Sequence, residues 1–292
     1  MNTRLLWLHA LSPLHCGTGQ AVGGIDLPIA REKPTGLPLV PGSSLKGVLR
    51  SRGDDGATHR HAFGPDTANA ADHAGMVQFS DLLLGFLPVR SVTGTFAYVT
   101  SPYVLRRLAR DWRETLGGAL LEVIPAPAKV NEAVLATNKL IVANTTKVVF
   151  EDLDFVAGTQ LPVEKLAQAL KPALPASVDF EFFRERLCVV HDDAMALLVE
   201  TCTEITSRNR LNADSKTVET GGLWTEEALP VETLLFGVVV ATPVKPKAGE
   251  APRPEALLQH VEALTRDRVI QIGGKASVGR GLCSLKMSGG KA

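Results

Sequence analysis

The chain is predicted to be an α+β protein built from ferredoxin-like halves. Apolar strand-helix-strand patterns occur at both ends of the sequence, and no repeat at solenoid spacing competes with them. With 292 residues, 45% of them hydrophobic, the chain is long enough to bury a substantial core in one large domain or two smaller ones.

Each element has a local reason. Arg4 to Leu11 alternates and is rich in Leu and Trp, which predicts the first strand. A long loop follows from Ser12 to about Val40, punctuated by Gly17, Gly19, Gly23, Gly24 and Gly36. Loops of that length without their own structure are usually functional or disordered. Ser43 or Ser44 is placed to cap the next helix, with Leu45, Val48 and Leu49 as its apolar face. Residues 53–75, rich in Gly, Ala, Asp and His, read as a mobile insertion. Met76 to Leu84, Leu87 to Arg90 and Thr95 to Thr100 are predicted strands. Ser101-Pro102 then opens a helix that buries Leu105, Leu108 and Trp112. Leu161 to Leu170 reads as helix, Leu187 to Val190 as strand and Asp192 to Glu200 as helix. Thr201 to Thr220 is polar and β-branched around Asn212-Ala213-Asp214, which predicts a long exposed hairpin. Thr233 to Thr242 is a buried strand and Pro254 to Arg266 a helix. Val269 to Ile272 and Leu282 to Met287 close the fold around a glycine loop.

Composition removes several function classes. The longest apolar run, Leu234 to Thr242, is too short to span a bilayer, so no membrane partner is expected. The N-terminus lacks the pattern of an export signal. Cys16, Cys188, Cys202 and Cys283 form no CxxC pair, which argues against a zinc site and a disulfide framework and for a cytoplasmic protein with reduced thiols. Thirty-one basic and 31 acidic residues cancel, so there is no general attraction to polyanions. The basic residues are nevertheless clustered. Arg106, Arg107, Arg110 and Arg113 crowd one segment, and Arg266, Arg268, Lys275, Arg280, Lys286 and Lys291 face only Asp267 near the end. One such cluster alone is a solvated face; several beside glycine-rich loops point to phosphate.

The segments that carry chemistry lie at the two ends. In Pro41 to Arg50 a helix start offers amides and the hydroxyls of Ser43 and Ser44, while Lys46 and Arg50 sit one turn apart on one face, a phosphate-gripping arrangement. Read alone, it is equally a capped helix with solvated charges. In Gly273-Gly274-Lys275-Ala276-Ser277-Val278-Gly279-Arg280-Gly281, Arg280-Gly281 stands where a P-loop needs Lys-Ser/Thr. A strand follows where a dinucleotide fingerprint needs a helix. What remains is a backbone cradle with two cations, suited to a polynucleotide chain.

Asp26 stands alone between glycines and a proline, with His15 upstream in the same loop. One carboxylate cannot hold a metal tightly, but Mg2+ is often bound by one or two carboxylates plus substrate phosphates. A turn-forming Asp26 and a structural His15 are the plainer alternatives. His59, His61, His73, Asp66 and Asp72 have the content of a metal cluster but not its spacing. Glu226 and Glu227 are adjacent acids beside the predicted hairpin.

Together these residues carry a resemblance. His15-Cys16-Gly17-Thr18-Gly19, Gly24-Ile25-Asp26-Leu27-Pro28-Ile29 and Thr35-Gly36-Leu37-Pro38, leading into Gly42-Ser43-Ser44-Leu45-Lys46-Gly47, resemble the N-terminal signature of the RAMP superfamily of CRISPR proteins. Phe79-Ser80-Asp81, Pro88-Val89-Arg90-Ser91, Gly94-Thr95-Phe96-Ala97, Leu223-Trp224-Thr225-Glu226-Glu227 and the terminal glycine loop are similar to the backbone subunits of type III-B (Cmr) effector complexes.

The resemblance implies a single RAMP domain over residues 1–292, with an RRM-like palm and a thumb hairpin at about 201–220. It implies copies stacked in a helical filament along CRISPR guide RNA, alongside other Cmr subunits, and metal-dependent cutting of complementary target RNA at regular intervals. Asp26 falls at the catalytic and metal position, with His15 and Glu227 nearby. Ser43, Ser44, Lys46, Arg50, Gly274, Lys275, Ser277, Gly279, Arg280 and Gly281 fall on the RNA-holding surfaces. Two rivals stay open: a scaffold whose Asp26 only shapes a loop, and a metal-independent nuclease that matures guide RNA with groups such as His15.

Overall fold

The apolar run at the start of the chain becomes β1 (Asn2–Ala10), a strand buried on both faces. Leu6, Leu8 and Ala10 enter one core, Leu5 and Trp7 the other, so the segment reads as nearly continuous apolar sequence rather than clean alternation. The computed structural model describes residues 2–19, 24–53, 56–65, 74–159, 161–212, 214–243, 252–266 and 268–289. Gly23, Asp66, Asp72, His73, Ala213, Asp267 and Lys291, named above, lie outside them.

After β1 the chain forms β2 (Leu39–Val40), α1 (Gly42–Arg50), α2 (Ala57–Phe63), β3 (Val77–Phe79), β4 (Leu82–Arg90), β5 (Phe96–Thr100) and α3 (Pro102–Leu116). A middle segment follows with β6 (Glu132–Leu135), β7 (Lys147–Phe150), β8 (Leu153–Thr159), α4 (Leu161–Leu170), α5 (Phe180–Arg186), β9 (Leu187–Val190) and α6 (Asp192–Thr201). The chain closes with β10 (Glu204–Leu211), β11 (Val218–Ala228), β12 (Leu234–Ala241), α7 (Pro254–Thr265), β13 (Val269–Gln271) and β14 (Leu282–Ser288).

The strand order β14-β1-β12-β4 is antiparallel throughout. With α1 and α7 as the two crossover helices, it is the ferredoxin-like β-α-β-β-α-β arrangement. Leu45 and Leu49 of α1 share a core with Leu257, Leu258 and Val261 of α7, so both helices cover one face. Val104, Leu105 and Leu108 of α3 cover the other, over Trp7. The middle segment extends the sheet beyond β4 in the order β5-β9-β6-β8-β7.

Two expectations need correction. Residues 57–63, inside the predicted mobile insertion, are helix α2. The helix is held because His59, Ala62 and Phe63 are buried, with His59 Nε2 donating to the Arg50 carbonyl oxygen at 2.8 Å. Neither Ser43 nor Ser44 caps α1. Pro41 stands at the N-cap, and the Gly42 amide donates to Asp81 Oδ1 at 2.8 Å. Gly42 is pressed on the turn before β4, where a Cβ would come within 2.4 Å of the Phe79 carbonyl oxygen; the helix starts ahead of the expected caps, and both serines fall inside its first turn.

Candidate nucleic-acid interface

The long loop after β1 is not free; hydrogen bonds stitch it to β11. Leu14 pairs with Leu229, and Leu27 forms a parallel bridge with Glu226. The Leu27 amide donates to the Thr225 carbonyl oxygen at 3.0 Å, and the Glu227 amide to the Leu27 carbonyl oxygen at 2.9 Å. This pairing fixes Asp26 opposite Thr225. Asp26 is exposed, and its Oδ2 accepts from the Thr225 amide at 2.7 Å and from Thr225 Oγ1 at 3.0 Å. The Asp26 amide donates back to Thr225 Oγ1 at 3.1 Å. The backbone and then the hydroxyl bonds from Thr225 hold the carboxyl below its ordinary value of 3.8, so it is ionised at neutral pH. Both acceptor bonds fall on Oδ2, and Oδ1 accepts none among the described residues.

His15 sits beside this loop and is buried. Its Nδ1 donates to the Glu227 carbonyl oxygen at 2.6 Å, which leaves Nε2 of the neutral ring as an acceptor. The terminal glycine loop folds onto the same residue. The Gly274 amide donates to the His15 carbonyl oxygen at 2.8 Å, and Gly273, at φ +79°, is so close that a Cβ would lie 2.3 Å from that oxygen. His15, Gly17, Gly19, Pro28, Ser44 and Lys275 thus line one cleft of ≈ 490 Å³. The two glycine segments, more than 250 residues apart in sequence, meet there because β14 pairs directly with β1.

The two adjacent glutamates lie on opposite faces of β11, as strand alternation requires. Glu227 is buried; its Oε1 accepts from Arg31 Nη2 at 2.6 Å and Thr203 Oγ1 at 2.8 Å, and its Oε2 from the Ile29 amide at 3.0 Å. It ties the loop to the foot of the hairpin. Glu226 is buried on the other side, where Oε1 accepts from Lys275 Nζ at 2.8 Å and Trp224 Nε1 at 2.8 Å. Burial pushes its carboxyl up, but the bonds from Lys275 and Trp224 and the charges of Lys275 and Arg208 outweigh it and bring the group down to about 2.

The sequence profile of the RAMP superfamily matches residues 7–284. The chain belongs to the RAMP superfamily. The CRISPR system Cmr endoribonuclease Cmr4 of Pyrococcus furiosus is 35% identical over 295 residues, spanning 98% of this chain and 96% of the relative. The CRISPR system CMR subunit Cmr4 of Saccharolobus solfataricus is 25% identical, spanning 96% and 94%. Among solved structures, that of oligomeric Cmr4 from Pyrococcus furiosus matches with a TM-score of 0.74 at 29% identity, covering 99% of this chain and 100% of that one. A chain of the type III-B Cmr-beta complex bound to cognate target RNA matches with a TM-score of 0.73 at 21% identity, covering 98% and 97%, and so shares the fold.

On this RAMP palm the expected site residues divide into two groups. Asp26, Ser43, Arg50 and Ser277 are exposed, Ser44 and Lys275 half-buried, and Gly274, Gly279 and Gly281 flank the exposed turn Ala276–Val278 in the loop between β13 and β14. The others face inward. Lys46 Nζ donates to the Val77 carbonyl oxygen at 3.2 Å. Burial and then the charge of Arg50 lower its pKa. Arg280 is buried at the foot of the hairpin, with Nη2 donating to Thr206 Oγ1 at 3.1 Å. Glu227 is saturated as described. The Gly42 amide is already taken by Asp81, so the start of α1 is less bare than its sequence implies.

Sequence reasoning placed Glu226 beside the site without a role, and overlooked Thr225 and Asp81 as supporting groups. Thr225 was legible, since a hydroxyl residue beside two acids on a strand edge is a natural partner for a loop carboxylate. Among the described residues no three His, Cys, Asp or Glu side chains gather to hold a metal. A single exposed, ionised carboxylate with a free oxygen fits a divalent ion that takes most of its ligands from water and substrate phosphates.

Proposed function

We propose that this chain is the guide-RNA-binding backbone subunit of a type III-B effector complex, and that it cuts complementary target RNA at Asp26. The observation that carries the reading is the placement of Asp26: exposed, ionised and fixed by Thr225 on the loop that borders the glycine-lined cleft. The 35% identity to a Cmr endoribonuclease over 98% of this chain supports it. Copies of the chain would line up along the guide, with other Cmr subunits completing the complex in the cytoplasm.

In this reading Ser43, Ser44, Arg50, Lys275, Ser277 and the loop glycines contact the ribose-phosphate backbone. Lys46, Arg280 and Glu227 hold those contacts in place. The hairpin of β10 and β11 is the thumb, longer than the expected 201–220 because β11 continues to Ala228. Zero net charge is compatible with RNA binding because one edge of each copy supplies the cations. Base pairing selects the target while the protein reads backbone and shape. Contacts to the 2′-hydroxyl distinguish RNA from DNA.

Asp26 would hold a divalent ion, Mg2+, which when bound supplies positive charge to the scissile phosphate. Thr225 orients the carboxylate, while His15 braces the loop through the Glu227 carbonyl. The test uses the assembled complex and a matched, labelled RNA. Wild type should give evenly spaced products that a chelator abolishes. Asp26→Ala should assemble and bind target normally but lose cleavage by at least about 100-fold. Normal cutting by that variant would end the reading, and chelator-resistant cutting would remove the metal from it.

A further inference from the structure

We propose that Glu226 is a positioning residue that couples the glycine loop to the cutting carboxylate, so that RNA seated at Lys275 sets the position of Asp26. The proposal rests on the function just argued for Asp26. Its basis is the run Thr225-Glu226-Glu227. Thr225 anchors Asp26, Glu226 anchors Lys275 of the glycine loop, and the Glu227 carbonyl anchors His15. Any movement of Lys275 is therefore felt one residue away from the group that orients Asp26.

The chemistry of Glu226 argues against a purely stabilising part. Its side chain is 4% exposed, yet Oε2 has no hydrogen-bond partner; Arg208 Nε lies 3.5 Å away. A buried carboxylate whose second oxygen has only the Arg208 charge at 3.5 Å and no hydrogen bond is costly, and an apolar side chain would fill the place at lower cost. What only an anion supplies is a partner for Lys275 Nζ, a cation that an RNA phosphate would also claim. Lys275 adopts φ 64°, a left-handed conformation uncommon outside glycine, at the start of the turn Ala276–Val278. The second cation of the same loop, Arg280, is buried and keeps Nε and Nη1 without hydrogen-bond partners while facing Glu204 and Thr206 of β10. Loop and hairpin are thus docked through polar groups with bonding capacity to spare, and such a contact can re-pair when a phosphate arrives.

Glu226→Gln in the assembled complex is the test, because glutamine keeps the size and the Oε1 acceptor and removes the charge. Single-turnover cleavage of matched RNA should fall roughly 10- to 100-fold through misplacement of Asp26. Guide affinity should rise, and its log-log salt dependence should steepen by about 0.7, the signature of one further phosphate contact by the freed Lys275. Adding Lys275→Met should remove the steepening without a further loss of cutting, a non-additive result expected of one coupled pair. Wild-type cutting by Glu226→Gln would overturn the coupling. So would a joint fall of binding, cutting and thermal stability, which would mark a merely structural residue. Asp26→Ala in the same assay separates the failures. If it still cuts, the site and the coupling fall together; if it is inert while Glu226→Gln cuts normally, the coupling alone falls.

Discussion

Asp26 and Glu227 sit on neighbouring segments joined by the Glu227 amide and the Leu27 carbonyl, yet their carboxylates live in opposite surroundings. Asp26 is exposed and held through one oxygen by Thr225. Glu227 is buried, with both oxygens bonded to Arg31, Thr203 and the Ile29 amide. A carboxylate with a free oxygen facing solvent can take a ligand; one with every oxygen engaged organises its neighbours. On the proposed reading Asp26 is therefore the acid that takes a ligand and Glu227 the buried partner that holds its loop, and proximity alone does not make Glu227 a second reactive group.

The sharpest way to break this contrast is to truncate each acid in turn. Asp26→Ala should give the largest effect on activity, the cleavage loss stated above, with only a small fall in the unfolding midpoint because the side chain is exposed. Glu227→Ala should do the reverse. It leaves the Ile29 amide without its acceptor and Arg31 without its anionic partner, and should cost about 3 kcal/mol of stability, the lower end for a broken buried pair because the Arg31 side chain is 24% exposed and keeps the Gly36 and Val199 carbonyls. Denaturant unfolding measures this directly. If Glu227→Ala keeps its stability but loses cleavage, Glu227 is chemical and the contrast fails.

That contrast was only partly legible in the sequence. The βαβ patterns at both ends sufficed for the ferredoxin-like core, since β1 is a nearly continuous apolar run and α1, α7 and β14 have apolar periodicity. Short strands with weak signals, β6, β7 and β8, went unassigned because pairing within the middle segment, rather than local pattern, makes them strands. Asp26 and the glycine loop stood out because glycine around charge is rare in a core. Burial did not. Lys46, Arg280 and Glu227 read as surface groups from residue type, and only tertiary packing turns their charges inward. The capping of α1 by Asp81 was equally hidden, because its partner is 39 residues away.

A smaller effect should come from Thr225→Val, which removes the hydroxyl bonds to Asp26 but keeps the backbone bond, the larger contributor to its acidity. Cleavage should fall roughly tenfold through looser orientation. The Asp26 carboxyl should move up towards, without reaching, its ordinary 3.8. The sign follows from linkage. A carboxyl depressed in the folded state lends stability that is present above its unfolded value and lost as pH falls through the folded one. Wild type should therefore keep Asp26 ionised to lower pH than the variant, as a carbon-detected NMR titration of the side chain would read. Identical titration curves would mean that the Thr225 hydroxyl does not contribute to the acidity of Asp26.

The smallest change expected concerns α1, the other element proposed to face RNA. Asp81→Ala removes the acceptor for the Gly42 amide and should cost about 1 kcal/mol, as loss of a helix cap does. In a chain of this size that lowers the melting midpoint by about 2–4 °C. Asp81 already supplies an anion at the start of α1, the place the proposed reading gives to an RNA phosphate. If it merely fills that place, guide affinity in the variant should hold or rise, because the freed amide and the first-turn hydroxyls of Ser43 and Ser44 become available to phosphate. A fall in guide affinity larger than the stability loss explains would mean that Asp81 orders the RNA contact. The start of α1 would then resemble Glu227, a buttress for the interface, more than Asp26.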